Sequence, residues 1–267
     1  MNKEKIIDLD KFNSIYDEEN QIYVFNINEK KYFFKGNGYE HSHNELIGEE
    51  LAKDYGLDYV HYDIAKYHNE VGVISEDFIK DKKYTNFIEI LLYEYGNDYF
   101  DMEAFNLYDI WNALSKRYKD DELVYKLMNQ LTDIFIFDFL IGNNDRHDGN
   151  VGVLEDENGI NITPVFDNEL LLEEEKSLDS VLKVDEEQID DWRISFTKFI
   201  TQSSHEYKDK IREKLYIIDE DNIDNVIKRV EIRINSKLDE EYKNNIIELF
   251  KIRKEEIEEL LNERRLK

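Results

Sequence analysis

Hydrophobic and polar residues follow different patterns in the first 80 residues and in the rest of the chain. In the first part, short runs rich in aromatic and β-branched residues stand between clusters of Asn, Gly and charged residues, a pattern typical of strands. One stretch there has apolar residues three and four positions apart and stops at a glycine, which predicts a helix. The predicted elements, in chain order, are strands Gln21–Ile27 and Lys31–Lys35, a helix from about Asn44 to Tyr55, and strands Tyr59–Ala65 and Val71–Ile79.

The later part of the chain is predicted to be mainly helical. Apolar residues recur at steps of three and four from Ile223 to Ile234 and again from Tyr242 to Leu261, and charged residues occupy the opposite faces. The exception is a predicted β-hairpin, in which Val151–Leu154 and Ile160–Phe166 flank a turn that contains Asn158-Gly159. The hairpin interrupts the helical part, so the loop before it and the residues after it are the places to look for chemistry.

The two patterns predict an α+β protein with a β-rich lobe over residues 1–80 and a helical lobe over residues 81–267. No Pro-, Ser- or Gly-rich linker separates the two parts, which favours one unit of two packed lobes. The chain has 35 Lys and Arg against 62 Asp and Glu, a net charge of −27. This charge disfavours direct binding to nucleic acid or to an anionic membrane, because both require basic residues.

Other aspects of composition exclude further classes. The sequence contains no Cys, which excludes a disulfide scaffold and thiolate metal sites. Its first residues lack the apolar stretch of a secretory signal, and its longest apolar run is far shorter than the ~20 residues that a membrane span needs. We therefore expect a soluble, cytoplasmic protein.

The loop before the hairpin and the residues after it carry the side chains that phosphoryl transfer requires. Such a reaction needs hard oxygen ligands for Mg²⁺ and an oxygen that orients the attacking hydroxyl group. A hairpin places its two ends side by side, so Asp145 and Asn150 before it and Asp167 after it are expected to converge. Asp145 is the predicted acceptor of the substrate proton, and Asn150 and Asp167 are the predicted metal ligands. His147 is a candidate acid or base, and Arg146 is expected to hold the loop in place.

The spacing of Asp145 and Asn150 is by itself a weak signal. The same separation of Asp and Asn occurs at Asp81–Asn86, Asp101–Asn106 and Asp138–Asn143. Context distinguishes Asp145 and Asn150, because an apolar helix precedes them, a hairpin follows them, and Asp167 comes next.

The string IGNNDRHDGNVGVL followed by PVFDNE resembles the catalytic loop and metal-binding Asp of the HipA-like kinases, and its Asp-Arg-His-x-x-Asn core is similar to that of phosphatidylinositol kinases. Lys35 falls where this family has its phosphate-contacting Lys, and Glu45 matches the Glu that pairs with that Lys. The segment Val71–Ile79 resembles the strand and hinge that contact adenine, which makes Glu76, Asp77 and Phe78 candidate ATP-binding residues.

The resemblance implies a two-lobed protein-kinase-like fold, with one helix in a small β-rich N-lobe and a larger α-helical C-lobe. It also implies ATP- and Mg²⁺-dependent phosphorylation, most often of Ser or Thr on a protein substrate. One departure from ordinary protein kinases is the absence of a Gly-rich loop near Asp17–Gln21, since no Gly precedes Gly36. Two alternatives stay open at this point: a pseudokinase that binds an antitoxin-like protein partner in a toxin–antitoxin-type system, and a lipid or small-molecule kinase.

Overall fold

The computed structural model describes residues 6–18, 21–101, 107–143, 146, 150–169, 171 and 205–262. Those residues form a mixture of strands and α-helices, with one 3₁₀ helix at Gly96–Asp101. The strands are β1 (Ile7–Asp8), β2 (Ser14–Asp17), β3 (Ile22–Ile27), β4 (Lys30–Lys35), β5 (Tyr62–Tyr67), β6 (Glu70–Glu76), β7 (Lys83–Asn86), β8 (Gly152–Asp156) and β9 (Gly159–Ile162). The helices are α1 (Gly38–Tyr55), α2 (Phe87–Tyr95), α3 (Leu107–Tyr118), α4 (Asp121–Ile141), α5 (His205–Leu215), α6 (Glu220–Ile234) and α7 (Glu240–Asn262).

A six-stranded sheet has the strand order β1-β5-β6-β4-β3-β2. Strand β1 pairs with β5 in parallel, and the other neighbours are antiparallel. Phe34 lies opposite Tyr23 and Ile74 on the flanking strands, so these side chains share one face. The buried cluster on this part of the sheet consists of Leu9, Phe25, Phe34, Ala65, Tyr67 and Ile74. Because side chains alternate along a strand, Lys35 points to the other face.

Helix α1 contacts strands β5 and β6 and buries Leu46, Ile47 and Leu51. The sequence predicted its start at about Asn44, but the helix begins six residues earlier, at Gly38. The polar start is stabilised by Ser42, whose hydroxyl donates to Asn37 Oδ1 at 2.9 Å and also contacts the carbonyl oxygen of Gly38. Side-chain bonds of this kind are invisible to hydrophobic periodicity, which explains the error.

The two helices predicted near the end of the chain are confirmed as α6 and α7. Helix α6 begins with a capping box, in which Asp219 Oδ1 accepts from the Asn222 amide at 2.9 Å and the Asn222 side chain accepts from the Asp219 amide at 2.8 Å. The same helix packs against α1. A segment far along the chain thus packs onto the helix that contacts the six-stranded sheet.

A second sheet has the order β7-β8-β9. The predicted hairpin is confirmed as β8 and β9, with Asp156 opposite Gly159. The sequence did not predict the partner strand β7, whose four residues KYTN are too short to show a period. Helix α4 supports the hairpin, since Gln130 Oε1 accepts from the Ile162 amide at 3.1 Å and Lys126 donates to the Ile160 carbonyl at 2.9 Å.

Two compact units divide the chain. The first comprises Met1–Asp81, Pro164–Leu171 and Ile218–Ile247, and the second comprises Lys82–Thr163, Leu172–Ile217 and Glu248–Lys267. This division differs from a single boundary at residue 80, because two later segments belong to the first unit. Within the described residues, we find no helix with the length and hydrophobicity of a membrane span.

Candidate functional site

Lys35, the last residue of β4, is the basic centre of a charged cluster in the first unit. Its Nζ lies 2.8 Å from Asp167 Oδ1 and 2.8 Å from Glu169 Oε1. Burial would lower the pKa of Lys35, but the charges and hydrogen bonds of Asp167 and Glu169 outweigh burial and raise it. Gly72 on β6 lets the Lys35 end of β4 pack closely against β6, because a Cβ at Gly72 would lie 1.9 Å from the Lys35 carbonyl oxygen.

The segment Pro164–Glu169 brings the acidic residues to Lys35. The Val165 amide donates to the Asp58 carbonyl at 2.7 Å, and the Val60 amide donates to the Val165 carbonyl at 3.0 Å. Asp167 has a φ of 59°, in the left-handed region where Asp is better tolerated than most residues. Its amide donates to the Tyr62 hydroxyl oxygen at 3.3 Å. These contacts hold the Asp167 backbone in this conformation next to Lys35.

Glu45 on α1 is the third carboxylate of the cluster. It is 1% exposed, and its Oε2 accepts from the Asn168 amide at 2.8 Å. Burial and, next, the negative charge of Asp167 raise the pKa of Glu45 to about 8. Oxygen atoms of Glu45, Asp167 and Glu169 lie within 4.8 Å of one another. Within the part of the chain that the structure describes, Lys35 is thus the cation beside three acidic groups.

Amide side chains fix the position of Glu169. Its Oε2 accepts from Asn37 Nδ2 at 3.0 Å, and its backbone carbonyl accepts from Asn44 Nδ2 at 2.7 Å. The neighbouring Asn168 is 1% exposed and packs onto Gly48 of α1, where an added Cβ would come within 2.6 Å of the Asn168 Cβ. The helix therefore approaches the acidic segment as closely as it does because position 48 lacks a side chain.

The three predicted hinge residues, Glu76, Asp77 and Phe78, make contacts of different kinds. Glu76 forms ion pairs with Lys30 and Lys80, each at 2.8 Å. Asp77 is buried, and its Oδ1 accepts from the Ile79 amide at 2.9 Å, which shapes the chain after β6. The Phe78 ring lies 5.2 Å from the ring of Phe166, the residue before Asp167. Phe78 is thus an apolar neighbour of the acidic segment.

In the second unit, Arg146 anchors the loop that precedes the hairpin, as the sequence predicted. Its Nε and a terminal nitrogen contact the two carboxylate oxygens of Asp138 at 2.9 Å each. Its other terminal nitrogen donates to the Asn150 carbonyl at 3.1 Å. All three residues are at least 92% buried. Arg146 thus links Asp138 of helix α4 to the backbone of Asn150.

The structure brings Lys35, Glu45 and Asp167 together, although they are up to 132 residues apart in sequence. Lys35 makes its ion pairs with Asp167 and Glu169, whereas Glu45 accepts a hydrogen bond from the Asn168 amide. The expected partners Lys35 and Glu45 therefore lie in one cluster, and Asp167 and Glu169 are the residues that pair with Lys35. Asp145 and His147 lie outside the described residues. The catalytic, ATP-binding and metal-binding roles of the predicted residues stay predictions.

Sequence reasoning missed Glu169. Its spacing to Asp167 was no guide, because Asp167 has a φ of 59° and residues 167 and 169 therefore do not alternate as in a strand. Asn37, Asn44 and Tyr62, which bond to the acidic segment, were also missed. They gave no signal, because their spacing to Glu169 and Asp167 arises only from the fold.

The donor set fits a divalent metal ion such as Mg²⁺. Asp167 and Glu169 offer hard carboxylate oxygens, and Glu45 is close enough to contribute another. The carboxylates of Asp167 and Glu169 both pair with the one ammonium group of Lys35, so these three residues carry an excess of negative charge. A bound cation would remove that excess.

The family model for the HipA-like C-terminal domain matches residues 11–238 of the chain. A sequence search among curated proteins found no match. The family match covers both the Lys35 strand and the acidic segment, and it confirms the resemblance inferred from the loop motif.

Two solved structures have a similar fold. The crystal structure of a Helicobacter pylori proinflammatory kinase, CtkA, matches with a TM-score of 0.68 and 20% identity over 96% of each chain. A chain of the Shewanella oneidensis MR-1 toxin–antitoxin complex of HipA, HipB and operator DNA matches with a TM-score of 0.54 and 16% identity, over 94% of this chain and 65% of that one. The likeness confirms the predicted protein-kinase-like α+β fold.

Proposed function

The chain belongs to the HipA-like C-terminal domain family, and from this premise we propose that it is a protein kinase that transfers the γ-phosphoryl group of ATP to Ser or Thr. The observation that carries the proposal is the cluster of Lys35 with Asp167, Glu169 and Glu45. The cluster joins a cation suited to phosphate with carboxylates suited to Mg²⁺, as phosphoryl transfer requires.

In this proposal, Asp167 and Glu169 would hold Mg²⁺, and Glu45 tunes the charge around them. Asn150 stays a metal ligand predicted from the motif. Bound Mg²⁺ supplies charge neutralisation of the ATP phosphates. Lys35 contacts the phosphates, and its raised pKa keeps it protonated over the whole physiological pH range. Phe78 and the backbone next to it contribute an apolar surface for adenine.

Asp145 is assigned the role of orienting the acceptor hydroxyl and accepting its proton, and His147 assists it. These roles rest on the motif and on the anchoring of the same loop by Arg146. A protein acceptor rather than a lipid is favoured by the net charge of −27, which opposes work at an anionic membrane. A cytoplasmic location and an antitoxin-like partner stay predictions.

The test measures phosphate transfer from γ-labelled Mg·ATP to the protein itself, to added proteins and to lipid vesicles. The wild type should label Ser or Thr of protein. Asp145→Asn should lower the transfer rate by about 10²–10⁴-fold and leave Mg·ATP affinity nearly unchanged, since a general base acts in the chemical step. Asp81→Asn, at an exposed position, is the matched control and should retain wild-type transfer.

Three outcomes would contradict the proposal. Saturable Mg·ATP binding without transfer would indicate a pseudokinase. Transfer to lipid alone would overturn the assigned acceptor. Equal transfer by the wild type and Asp145→Asn would overturn the assigned base.

A further inference from the structure

Arg233 of helix α6 connects α1 to the strand that supports the acidic segment. Its guanidinium donates to Glu49 Oε2 at 2.9 Å, to Glu50 Oε1 at 2.9 Å and to the Tyr62 carbonyl at 2.6 Å. Glu49 Oε2 also accepts from the Tyr62 amide at 3.1 Å. The Tyr62 hydroxyl oxygen in turn accepts a hydrogen bond from the Asp167 amide. One arginine therefore fixes both α1 and the residue that holds Asp167.

Tyr242, in the first turn of α7, makes a second connection. Its hydroxyl donates to Asn44 Oδ1, and Asn44 Nδ2 donates to the Glu169 carbonyl at 2.7 Å. Burial raises the pKa of Tyr242, so this hydroxyl keeps its proton and remains a donor. Tyr242 lies beyond the residues that the family model matches, which end at residue 238.

Glu231 sets the relative position of the two connections. It is 5% exposed, and its Oε1 accepts from the Leu238 amide at 3.2 Å and from Lys243 at 3.2 Å, while Lys237 contacts its other oxygen. These bonds link α6, which carries Arg233, to the turn after it and to the first turn of α7, which carries Tyr242.

The geometry of α1 transmits this support to the candidate site. Glu45 and Glu49 are four residues apart and lie on one face of the helix. Glu49 is held by Arg233, and Glu45 bonds to the Asn168 amide beside Asp167. Asn44, held by Tyr242, bonds to Glu169. The two connections thus end on both sides of the same three-residue acidic segment.

We propose that Arg233 and Tyr242, which we call the C-terminal brace, are positioning residues that hold helix α1 and the segment Asp167–Glu169 in register for Mg·ATP binding. The link to Mg·ATP rests on the proposed kinase function. The brace itself rests on contacts within the first unit. In this proposal, the position of the carboxylate cluster depends on Arg233 and Tyr242, although neither residue belongs to the cluster.

The experiment compares Tyr242→Phe, Arg233→Met and Arg233→Lys with the wild type. Tyr242→Phe removes one hydroxyl, and Arg233→Lys keeps the charge but cannot make three bonds of the same geometry. Tyr216→Phe is the control for the tyrosine, because the Tyr216 hydroxyl bonds to Glu258 at an exposed site. Arg229→Met is the control for the arginine, because Arg229 pairs with Glu50 and Asp54 of α1 but contacts neither Glu49 nor Tyr62.

The first readout is amide hydrogen exchange in peptides covering α1 and Val165–Glu169. The second readout is the Mg·ATP dissociation constant together with kcat. Tyr242→Phe and Arg233→Met should speed exchange at Val165–Glu169 and weaken Mg·ATP binding by about 3–30-fold, the range of coupling energies between linked sites. Arg233→Lys should recover part of the binding. Tyr216→Phe and Arg229→Met should stay within about twofold of the wild type in both readouts, even where the melting temperature falls.

Unchanged exchange at Val165–Glu169 in both brace variants would overturn the proposal. So would faster exchange with wild-type Mg·ATP binding, since the brace would then serve stability alone. A wild type that binds no Mg·ATP would refute the proposed function by itself. In that case the exchange at Val165–Glu169 still decides whether Arg233 and Tyr242 position the acidic segment.

Discussion

Two glutamates on helix α1, five residues apart, have opposite electrostatic environments. Glu50 lies among cations, with Arg229 at 2.8 Å and Arg233 at 2.9 Å. Burial alone would raise its pKa, but the hydrogen bond from Arg229 and nearby positive charges lower it. Glu45 lies among carboxylates, and burial and Asp167 raise its pKa to about 8. The same side chain on the same helix is thus stabilised as a carboxylate at one position and as an acid at the other.

The acidic residues around Glu50 and those around Glu45 differ in the same way. Between α1 and α6, Glu49, Glu50 and Asp54 all have guanidinium partners. In the candidate site, Glu45, Asp167 and Glu169 lie close together, and Lys35 is the one cation paired with them among the described residues. Balanced charge is typical of a structural contact, whereas uncompensated charge in a cluster indicates a place for a cation. The predictions below test this distinction.

The largest effect is expected for Asp167→Asn. Removing a proposed metal ligand should weaken Mg·ATP binding by at least about 100-fold, since even outer-sphere partners of a metal contribute about 10–100-fold. The melting temperature of the metal-free protein should change little, because the substitution also relieves the repulsion between Asp167 and the acidic groups of Glu45 and Glu169. Calorimetric titration and thermal unfolding of the same samples measure both. A large loss of stability with unchanged Mg·ATP affinity would make Asp167 a structural residue.

A stability effect of opposite sign is expected at the two glutamates of α1. Glu50→Gln should destabilise the protein by about 1–3 kcal/mol, because it removes one of the carboxylates that pair with Arg229 and Arg233 and leaves them only Asp54 and Glu49. Glu45→Gln should stabilise the metal-free protein at pH 8, because the wild type must keep a proton on a buried acid that is ionised when unfolded. Urea unfolding in the absence of divalent ions checks both signs.

The pH dependence of the Glu45→Gln effect follows from the pKa of about 8. Below the ordinary glutamate pKa of about 4.3, Glu45 is protonated in the folded and unfolded states, so the substitution gives no gain. As pH rises towards 8, only the unfolded state ionises, and the wild type loses stability. The gain of Glu45→Gln should therefore grow from about pH 5 to pH 8. A gain that is constant over this range would contradict the assigned environment.

The smallest effect is expected for Lys35→Met in the absence of metal. Lys35 is 35% exposed, so solvent screens its ion pairs and the loss should be about 1 kcal/mol. Adding Mg²⁺ should restore stability to Lys35→Met more than to the wild type, because the ion then replaces the positive charge that Asp167 and Glu169 have lost. Lys11→Met, at an exposed position, is the control for the lost charge. Equal Mg²⁺ effects in all three proteins would contradict a metal site at this cluster.

Much of the fold could be predicted from the sequence. The alternating runs at β3 and β4, the helical periods of α6 and α7 and the Asn-Gly turn of the β8–β9 hairpin are local signals, and each gave the correct element. Strands β1, β2 and β7 were missed because two to four residues cannot show a period. The start of α1 was misplaced because Ser42 and Asn37 stabilise a polar first turn.

The candidate site was only partly predictable. Lys35 and Asp167 followed from the motif resemblance, and the fold brings them within hydrogen-bonding distance. Glu169, Asn44 and Tyr242 could not be chosen from the many acidic, amide and aromatic residues of this chain. Their contacts join segments up to 198 residues apart, and no local sequence pattern indicates which distant residues come into contact.

The most direct test of the charge argument is a crystal structure with Mn²⁺ and a non-hydrolysable ATP analogue, read by anomalous scattering. The account predicts an anomalous peak about 2.1 Å from carboxylate oxygens of Asp167 and Glu169, with Lys35 Nζ moved from these residues onto a phosphate. Mn²⁺ bound elsewhere, with Lys35 still paired to Asp167 and Glu169, would contradict it.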